Sequence, residues 1–439
     1  MNIPQLFRKY IVPTLASMLG VCSLTAIDGI FAGHVLGSTA IAAINIVVPI
    51  MMIVTGVGLM AGIGCSVVSS AHMSQGNDKP ARINITQAML LVVLVVLCIS
   101  APMMIYPERT AGLLGASARL QPMVVEYMMW FTPSLLFSAL TTVAIYAIRM
   151  DGSIRLAMIC SFIPVVINIC LDWFFVFRMD WGLKGIGVAS TISSIASCTV
   201  AFVYLARFAH KLKLYRLKIS GTSLVLTCRN IGYQCRIGAS SLLNEAAMAT
   251  LVFMGNQVFM RYLGDDGVGA FGIACCYVPF IFAFGNAVSQ TVQTISSSNF
   301  QSGDFQRVAA AEQVAILVAG ALGVLSTALF FAFPHALTEL FINLGTNSGM
   351  IAAKGLSLFA VGFVFLVVNL TATGIFKGTN RDKTAIVFTL LRGFVFLISC
   401  FIILPDMFGT AGIWLAMPIS EVLTTMLLGV YYIIAKMVI

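Results

Sequence analysis

Charged residues are scarce in this sequence: Asp, Glu, Lys and Arg together occupy 9% of its 439 positions. Soluble globular proteins carry roughly 25%, so a soluble fold is excluded. The 59% of hydrophobic residues and the mean hydropathy of +0.99 instead indicate an all-α integral membrane protein. Histidine is also rare, with four residues, all at predicted helix ends or in loops. A membrane-embedded enzyme would need a nucleophile grouped with a base, so we expect no enzyme.

The eleven cysteines do not show the sequence spacing of metal ligands. Cys275 and Cys276 are adjacent, and Cys228 and Cys235 lie too far apart for a short zinc knuckle. We therefore expect the cysteines to be packing residues, and we expect no bound cofactor. We expect no cleavable signal at the N-terminus, because the apolar run at 11–32 is too long and leads directly into further apolar sequence.

Long apolar runs are abundant, and each can cross a ~30 Å hydrocarbon core. They predict twelve transmembrane helices, at about 11–33, 41–71, 86–106, 124–148, 155–177, 184–207, 237–260, 268–297, 308–333, 351–376, 382–404 and 411–435. With a cytoplasmic N-terminus, 18 of the 25 Lys and Arg residues fall in inner segments and 6 in outer ones. This bias predicts that both termini lie in the cytoplasm, and we expect the protein to lie in the cytoplasmic (inner) membrane. The same bias of Lys and Arg toward inner segments explains the net charge of +9, so we expect no nucleic-acid partner.

The two halves of the sequence repeat with an offset of 227 residues. The matching pieces are His34-Val35-Leu36-Gly37 with Arg261-Tyr262-Leu263-Gly264, Ser70…Gly76-Asn77-Asp78 with Ser297…Gly303-Asp304, and Gly182-Leu183-Lys184-Gly185 with Gly409-Thr410-Ala411-Gly412. The repeat predicts two pseudo-symmetric six-helix lobes, an N-lobe at 1–206 and a C-lobe at 230–439, joined by a basic cytoplasmic linker at 207–229. Such a duplication suits two lobes that rock about a central cavity, while a duplication without transport is the alternative.

Three polar residues are predicted to lie at one depth in the N-terminal half, with a fourth one helical turn deeper. Asp28, Asp172 and Ser190 each fall ~9 Å below the outer boundary at ~1.5 Å per residue. Asn168 lies one turn deeper, on the same helix face as Asp172. Two carboxylates, an amide and a hydroxyl would form an all-oxygen site for a hard cation such as Na⁺, or the two carboxylates could share a proton. The alternative is four unrelated residues, each satisfied by an interhelical hydrogen bond.

Other intramembrane residues with polar or bending roles are Glu245, Arg392, Glu421 and Pro13. Glu245 could be a second protonation site or a contact for a cationic substrate. Arg392, near mid-depth, is a candidate partner for Glu245, and an ion pair between them would give both residues a structural role. Glu421 is expected to face a cavity. Pro13 removes a helix hydrogen bond and either permits a kink in the first span or only relaxes a helix end.

Several motifs together resemble those of the MATE (multidrug and toxic compound extrusion) family. They are Ile27-Asp28-Gly29-Ile30-Phe31-Ala32-Gly33, Gly58-Leu59-Met60-Ala61-Gly62-Ile63-Gly64, Ser70…Gly76-Asn77, Asn168-Ile169-Cys170-Leu171-Asp172 and Gly182…Gly185…Ala189-Ser190. The resemblance extends over essentially the whole chain. It implies a twelve-helix bundle of two lobes that alternates between outward- and inward-facing states. It also implies export of organic, often cationic compounds in exchange for Na⁺ or H⁺.

The resemblance also implies roles for single residues. In the branch whose ion site is in the N-lobe, the functional positions match Asp28, Asn168, Asp172 and Ser190, and Pro13 would bend the first helix when the aspartate is protonated. Glu245 is similar to the seventh-helix glutamate of the other bacterial branch and of eukaryotic members. The chain departs from the N-lobe pattern at three positions, with Ser190 for threonine, Trp173 for proline and Leu24 for tyrosine. The choice between Na⁺ and H⁺ therefore stays open.

The sequence accordingly predicts a secondary active antiporter, acting as a monomer in the lipid bilayer on small organic molecules. One alternative is a lipid-linked oligosaccharide flippase of the same superfamily, which would need a basic cavity for pyrophosphate, yet Arg392 is the single deeply placed cation. A passive channel is a further alternative that the two-lobe repeat disfavours.

Overall fold

The computed structural model describes residues 2–213, 215 and 221–437, without the side chains of 17, 20, 21, 24, 25, 221–224 and 435–437. Throughout this part of the chain the regular secondary structure is helical. The helices are α1 (Ile3–Phe31), α2 (Ser38–Ser74), α3 (Asp78–Ile105), α4 (Pro107–Leu113), α5 (Gln121–Met150), α6 (Ile154–Trp173), α7 (Gly182–Val203), α8 (Gly221–Gln301), α9 (Phe305–Ala332), α10 (Pro334–Glu339), α11 (Asn347–Ala360), α12 (Phe363–Gly378), α13 (Asp382–Leu390) and α14 (Leu397–Met437). Four π-helical segments continue α1, α6, α7 and α13, at Ala32–Leu36, Phe174–Arg178, Tyr204–Phe208 and Leu391–Phe396.

Helices that could cross a membrane make up most of the described chain. Eight are long and apolar enough, and α11 with α12 forms a ninth span bent by 47°. Two of the eight contain a break: α8 at Gly264, and the α13–α14 stretch at Gly409. Counting each as two spans and adding α1, the described residues agree with the predicted all-α fold of twelve transmembrane helices.

Backbone geometry supports the predicted repeat. Gly37 and Gly264 occupy equivalent positions in the two halves, and their φ values are +87° and +64°. Only glycine adopts such a conformation at no steric cost, so each equivalent position turns the chain in the same way. The other two predicted pairs behave alike, with φ of +76° and +78° at Gly76 and Gly303 and of +57° and +58° at Gly182 and Gly409.

Two short helices were missed by the sequence analysis, and they too are equivalent in the repeat. α4 begins at Pro107 and α10 at Pro334, each directly after an aromatic residue at the preceding position. Proline is favoured in the first turn of a helix because its missing N–H has no partner there in any case. The two prolines signal these helix starts, but both segments are too short to span a membrane and were assigned to loops.

Contacts within the chain divide it into two compact units. The first unit is Met1–Asn45 with Thr250–Ile439, and the second is Ile46–Ala249. The division cuts α2 and α8 and does not follow the predicted linker. In addition, α8 begins at Gly221, inside the stretch predicted as linker. The lobe boundaries at 206 and 230 stay a prediction.

In the second unit, Asp151 holds the chain that follows α7. Its carboxylate accepts hydrogen bonds from the backbone N–H groups of His210, Lys211 and Leu212, at 2.8 to 3.0 Å, and from the Tyr204 hydroxyl at 2.7 Å. Partial burial raises the pKa of Asp151, but these four donors outweigh it and hold that pKa below its usual value. The start of the predicted linker is therefore fixed to the α5–α6 loop.

Replacing Asp151 with asparagine is expected to loosen this segment. The amide keeps one acceptor oxygen but turns an N–H₂ group toward backbone donors, and solvent screening limits the loss to ~1 kcal/mol, about fivefold in the opening equilibrium. Trypsin cleavage after Lys211 and Lys213 should accelerate by about that factor. A carboxylate whose pKa is lowered by folding contributes its full stability above its unfolded-state pKa and loses it as the pH falls through the folded-state pKa. The difference in cleavage rate between the two proteins should therefore be constant from pH 7 to 9 and should decline only as the pH falls below ~3.9.

Tyr204→Phe is the graded control for this prediction. It removes one of the four donors and leaves the three backbone N–H groups in place, so its cleavage rate should lie between those of the wild type and Asp151→Asn. Equal rates in all three proteins would mean that the carboxylate does not hold the segment.

Candidate functional site

Three of the four residues predicted for the ion site lie on two neighbouring helices of the second unit. Asn168 and Asp172 are one turn apart on α6, and both are buried, with exposures of 1% and 0%. The amide nitrogen of Asn168 donates to the Ser190 hydroxyl on α7 at 3.4 Å. The structure thus brings Asn168 and Ser190 into contact. Burial of the Asp172 carboxylate is costly in an apolar helix, and this cost calls for a functional explanation.

Helix α6 departs from regular α-helical hydrogen bonding on both sides of Asn168 and Asp172. Pro164 lies one turn before Asn168 and has no N–H for the carbonyl of Cys160. The hydroxyl of Ser197 on α7 donates to that carbonyl at 2.6 Å, so the freed acceptor is satisfied by the partner helix. Directly after Trp173 the helix widens into the π segment Phe174–Arg178. Such π turns occur frequently at functional sites.

Asp28 lies on α1 in the first unit and is partly exposed. The neighbouring Gly29 packs closely on the first unit's other helices, since an added Cβ would lie 2.7 Å from the sulfur of Cys276. Farther along, the imidazole Nε2 of His34 lies 3.0 Å from the carbonyl oxygen of Leu340. The π segment Ala32–Leu36 begins one turn after Asp28. Both predicted ion-binding aspartates therefore lie within one turn of the start of a π segment, which sequence reasoning did not find.

The grouping of Asp28 with Asn168, Asp172 and Ser190 stays a prediction, because Asp28 belongs to the first unit and the other three to the second. Pro13 lies within α1, which runs unbroken from Ile3 to Phe31, so its role in bending also stays a prediction. The departure at Leu24 concerns a side chain outside the described residues.

Glu245 lies on α8 in the second unit, at a close approach to α2. An added Cβ on Gly56 would lie 2.9 Å from the Glu245 Cβ, so the Cβ of Glu245 packs against α2 at Gly56. Arg392 lies in the first unit and forms a salt bridge with Glu421 at 3.3 Å. The suggested Glu245–Arg392 pairing is corrected accordingly. The expectation that Glu421 faces a cavity is corrected too, because this carboxylate is buried and paired.

A family model described as MatE matches the chain twice, at residues 13–174 and 242–402. Among curated proteins, a FAD transporter of Shewanella oneidensis is 23% identical over 436 residues, covering 96% of this chain and 92% of its own. A multidrug resistance MATE family transporter of the MOP superfamily, solved in an inward-facing conformation, has a TM-score of 0.82 at 18% identity, over 94% of this chain and 96% of its own. A MATE multidrug transporter solved in complex with rhodamine 6G has a TM-score of 0.76 at 23% identity, over 98% and 95%.

Proposed function

Because this chain belongs to the MatE family, a family of transporters and not of enzymes, we propose that it is a secondary active antiporter. It exports organic, often cationic, compounds in exchange for Na⁺ or H⁺ by alternating access. It works as a monomer in the inner membrane, with both termini in the cytoplasm, as the Lys and Arg bias indicates. The similar proteins are multidrug and cofactor transporters, and they do not favour the flippase alternative.

The observation that carries this proposal is the buried carboxylate of Asp172, one turn from Asn168 on α6, whose amide contacts the hydroxyl of Ser190 on α7. All three supply oxygen atoms, the donors that hard cations such as Na⁺ prefer. Asp28 is the fourth of the proposed coupling residues, termed the coupling site, which take up the ion on one side of the membrane and release it on the other. Protonation of a carboxylate would serve the same purpose. Glu245 is a second protonation site or a contact for the cationic substrate, and Pro13 allows α1 to bend when Asp28 is protonated.

Exchange requires that ion and substrate bind different conformations preferentially. A ligand shifts a conformational equilibrium only by its differential affinity for the two states, and the effect of one ligand on the other is reciprocal. Ion binding at the coupling site therefore lowers the affinity for the exported compound, and loss of the ion restores it.

Efflux in proteoliposomes tests the proposal. Purified protein is reconstituted and loaded with rhodamine 6G, and a Na⁺ gradient and a pH gradient are imposed in separate experiments. One of the two gradients should drive saturable efflux, and an ionophore that collapses that gradient should abolish it. Efflux that responds to neither gradient would refute an antiporter, and efflux that never saturates would indicate a channel.

A second candidate function is export of an acidic organic compound. It is favoured by Arg392, a buried arginine in an apolar helix, since cationic side chains at such depth are rare and usually mark a substrate or ion pathway. The relative named a FAD transporter is consistent with a substrate that carries negative charge.

A further inference from the structure

A buried polar network crosses three helices of the first unit. Arg392 follows α13, and its Nη1 lies 3.3 Å from the Glu421 Oε1 on α14. The amide nitrogen of Asn369 on α12 donates to Glu421 Oε2 at 2.7 Å and to the Glu421 carbonyl oxygen at 2.9 Å. The Thr425 hydroxyl donates to Asn369 Oδ1 at 2.9 Å, which fixes the orientation of that amide.

Stability alone does not explain the ion pair in this network. The side chains of Arg392 and Glu421 are 3% and 6% exposed, and desolvating two charges at such depth usually costs as much as their attraction returns. Strong arginine–carboxylate pairs are bidentate and short, whereas this pair has a single contact at 3.3 Å. A well-packed apolar pair would serve a purely structural role at least as well.

The surroundings of Arg392 resemble a binding site for an anion. Its guanidinium carbon lies 5.3 Å from the centre of the Phe282 ring, a distance at which the face of an aromatic ring attracts a cation. Its Nε is buried without a hydrogen-bond partner among the described residues. The residue also lies in the π segment Leu391–Phe396, a form of helix that is rare and concentrated at functional sites.

We propose that Arg392 binds a carboxylate or phosphate group of the exported compound, and that Glu421 occupies this position when the compound is absent. The substrate's two oxygens would engage Nε together with a terminal nitrogen of the guanidinium, which is the bidentate contact that Glu421 does not make. Asn369 keeps its hydrogen bond to the Glu421 carbonyl oxygen while that side chain moves away. This inference deepens the proposed transport function and names the substrate's acidic group.

A pair of dyes that differ in one group provides the test. Rhodamine B carries a free carboxylate, and its ethyl ester lacks it. Binding of each dye to the purified protein in detergent is measured by fluorescence anisotropy, without any ion gradient. Arg392→Met should raise the Kd of rhodamine B by about 10-fold or more, as expected for loss of charge-assisted hydrogen bonds, and should leave the Kd of the ester within about twofold.

Arg178→Met is the matched control. Arg178 also lies in a π segment, over the ring of Trp173 at 5.8 Å, but it is exposed. Neither dye should distinguish this variant from the wild type. If Arg392→Met weakens both dyes equally, or neither, the assignment is wrong, and it is equally wrong if the wild type binds the ester and not rhodamine B.

Glu421→Gln provides an independent test that stands even if Arg392→Met does not fold. Glutamine keeps an acceptor for Asn369 but no longer competes as an anion, so rhodamine B should bind several-fold more tightly and the ester should be unaffected. An unchanged preference between the dyes would overturn the proposal. Because binding is measured without a gradient, failure of this inference is separable from failure of coupled efflux.

Discussion

Asp28→Asn is expected to abolish ion-coupled efflux while the protein still folds. Asparagine has nearly the same shape as aspartate, but it carries no charge to attract Na⁺ and cannot take up a proton. Loss of a charged ligand typically weakens binding by on the order of 10- to 100-fold, which would leave the coupling site empty at ordinary ion concentrations. Replacing a charged residue in an apolar helix also lowers the cost of membrane insertion, so the yield of folded protein should not fall.

The measurement is rhodamine 6G efflux from proteoliposomes under whichever gradient drives the wild type. Asp180→Asn is the matched control, since this aspartate is exposed beyond the end of α6 and has a φ of +54°, which asparagine tolerates equally well. It should transport as the wild type does. Normal efflux by Asp28→Asn would place the coupling site elsewhere in the chain.

Much of the fold follows from local features of the sequence. The apolar runs set the number of spans, because a bilayer of fixed thickness requires ~20 residues for each crossing. The repeat was found from short motifs, and it holds in the backbone because Gly37 and Gly264 adopt the same unusual φ region. The break in α8 at Gly264, where the backbone is not helical, falls between the spans predicted at 237–260 and 268–297.

Pairing between helices was harder to predict than the helices themselves. The contact between Asn168 and Ser190 joins two consecutive predicted spans, which are usually neighbours in space. Arg392 was assigned to Glu245, and the structure pairs it with Glu421. Depth counting could not decide between the two carboxylates, because Glu245 and Glu421 both lie within a few residues of the depth of Arg392 in their predicted spans. Asn369 was missed because an uncharged amide is inconspicuous in an apolar helix.

The rotation of a helix about its axis is the information that periodicity did not supply. Membrane helices are apolar on most faces, so the face that contacts protein is set by small residues and by interhelical hydrogen bonds. The π segments add to the difficulty, because each extra residue rotates every side chain that follows it. Arg392 lies in such a segment, and its direction could not be read from the spacing of α13.

Gly238→Ala is expected to prevent folding, since a single added methyl group has no space at the crossing of α2 and α8. A Cβ at Gly238 would lie 2.1 Å from the carbonyl oxygen of Met60, and one at Gly64 would lie 2.0 Å from that of Gln234. The obstructing atoms belong to helix backbones and cannot rotate away, so the cost should exceed the ~1–3 kcal/mol typical of overpacked cores. The yield of monodisperse protein in detergent should fall to background.

Gly232→Ala separates this packing effect from the replacement of a glycine as such. Gly232 lies on the same helix, less than two turns earlier, and an added Cβ there has no atom within 4 Å. Alanine favours the helix over glycine by ~0.5–1 kcal/mol, so this variant should melt at the wild-type temperature or slightly above it. If both variants fold equally well, the backbones of α2 and α8 cannot be in contact as the structure places them. If only Gly238→Ala fails, the two helices cross without room for any side chain, and the position of Glu245 beside Gly56 on the same pair of helices follows from that crossing.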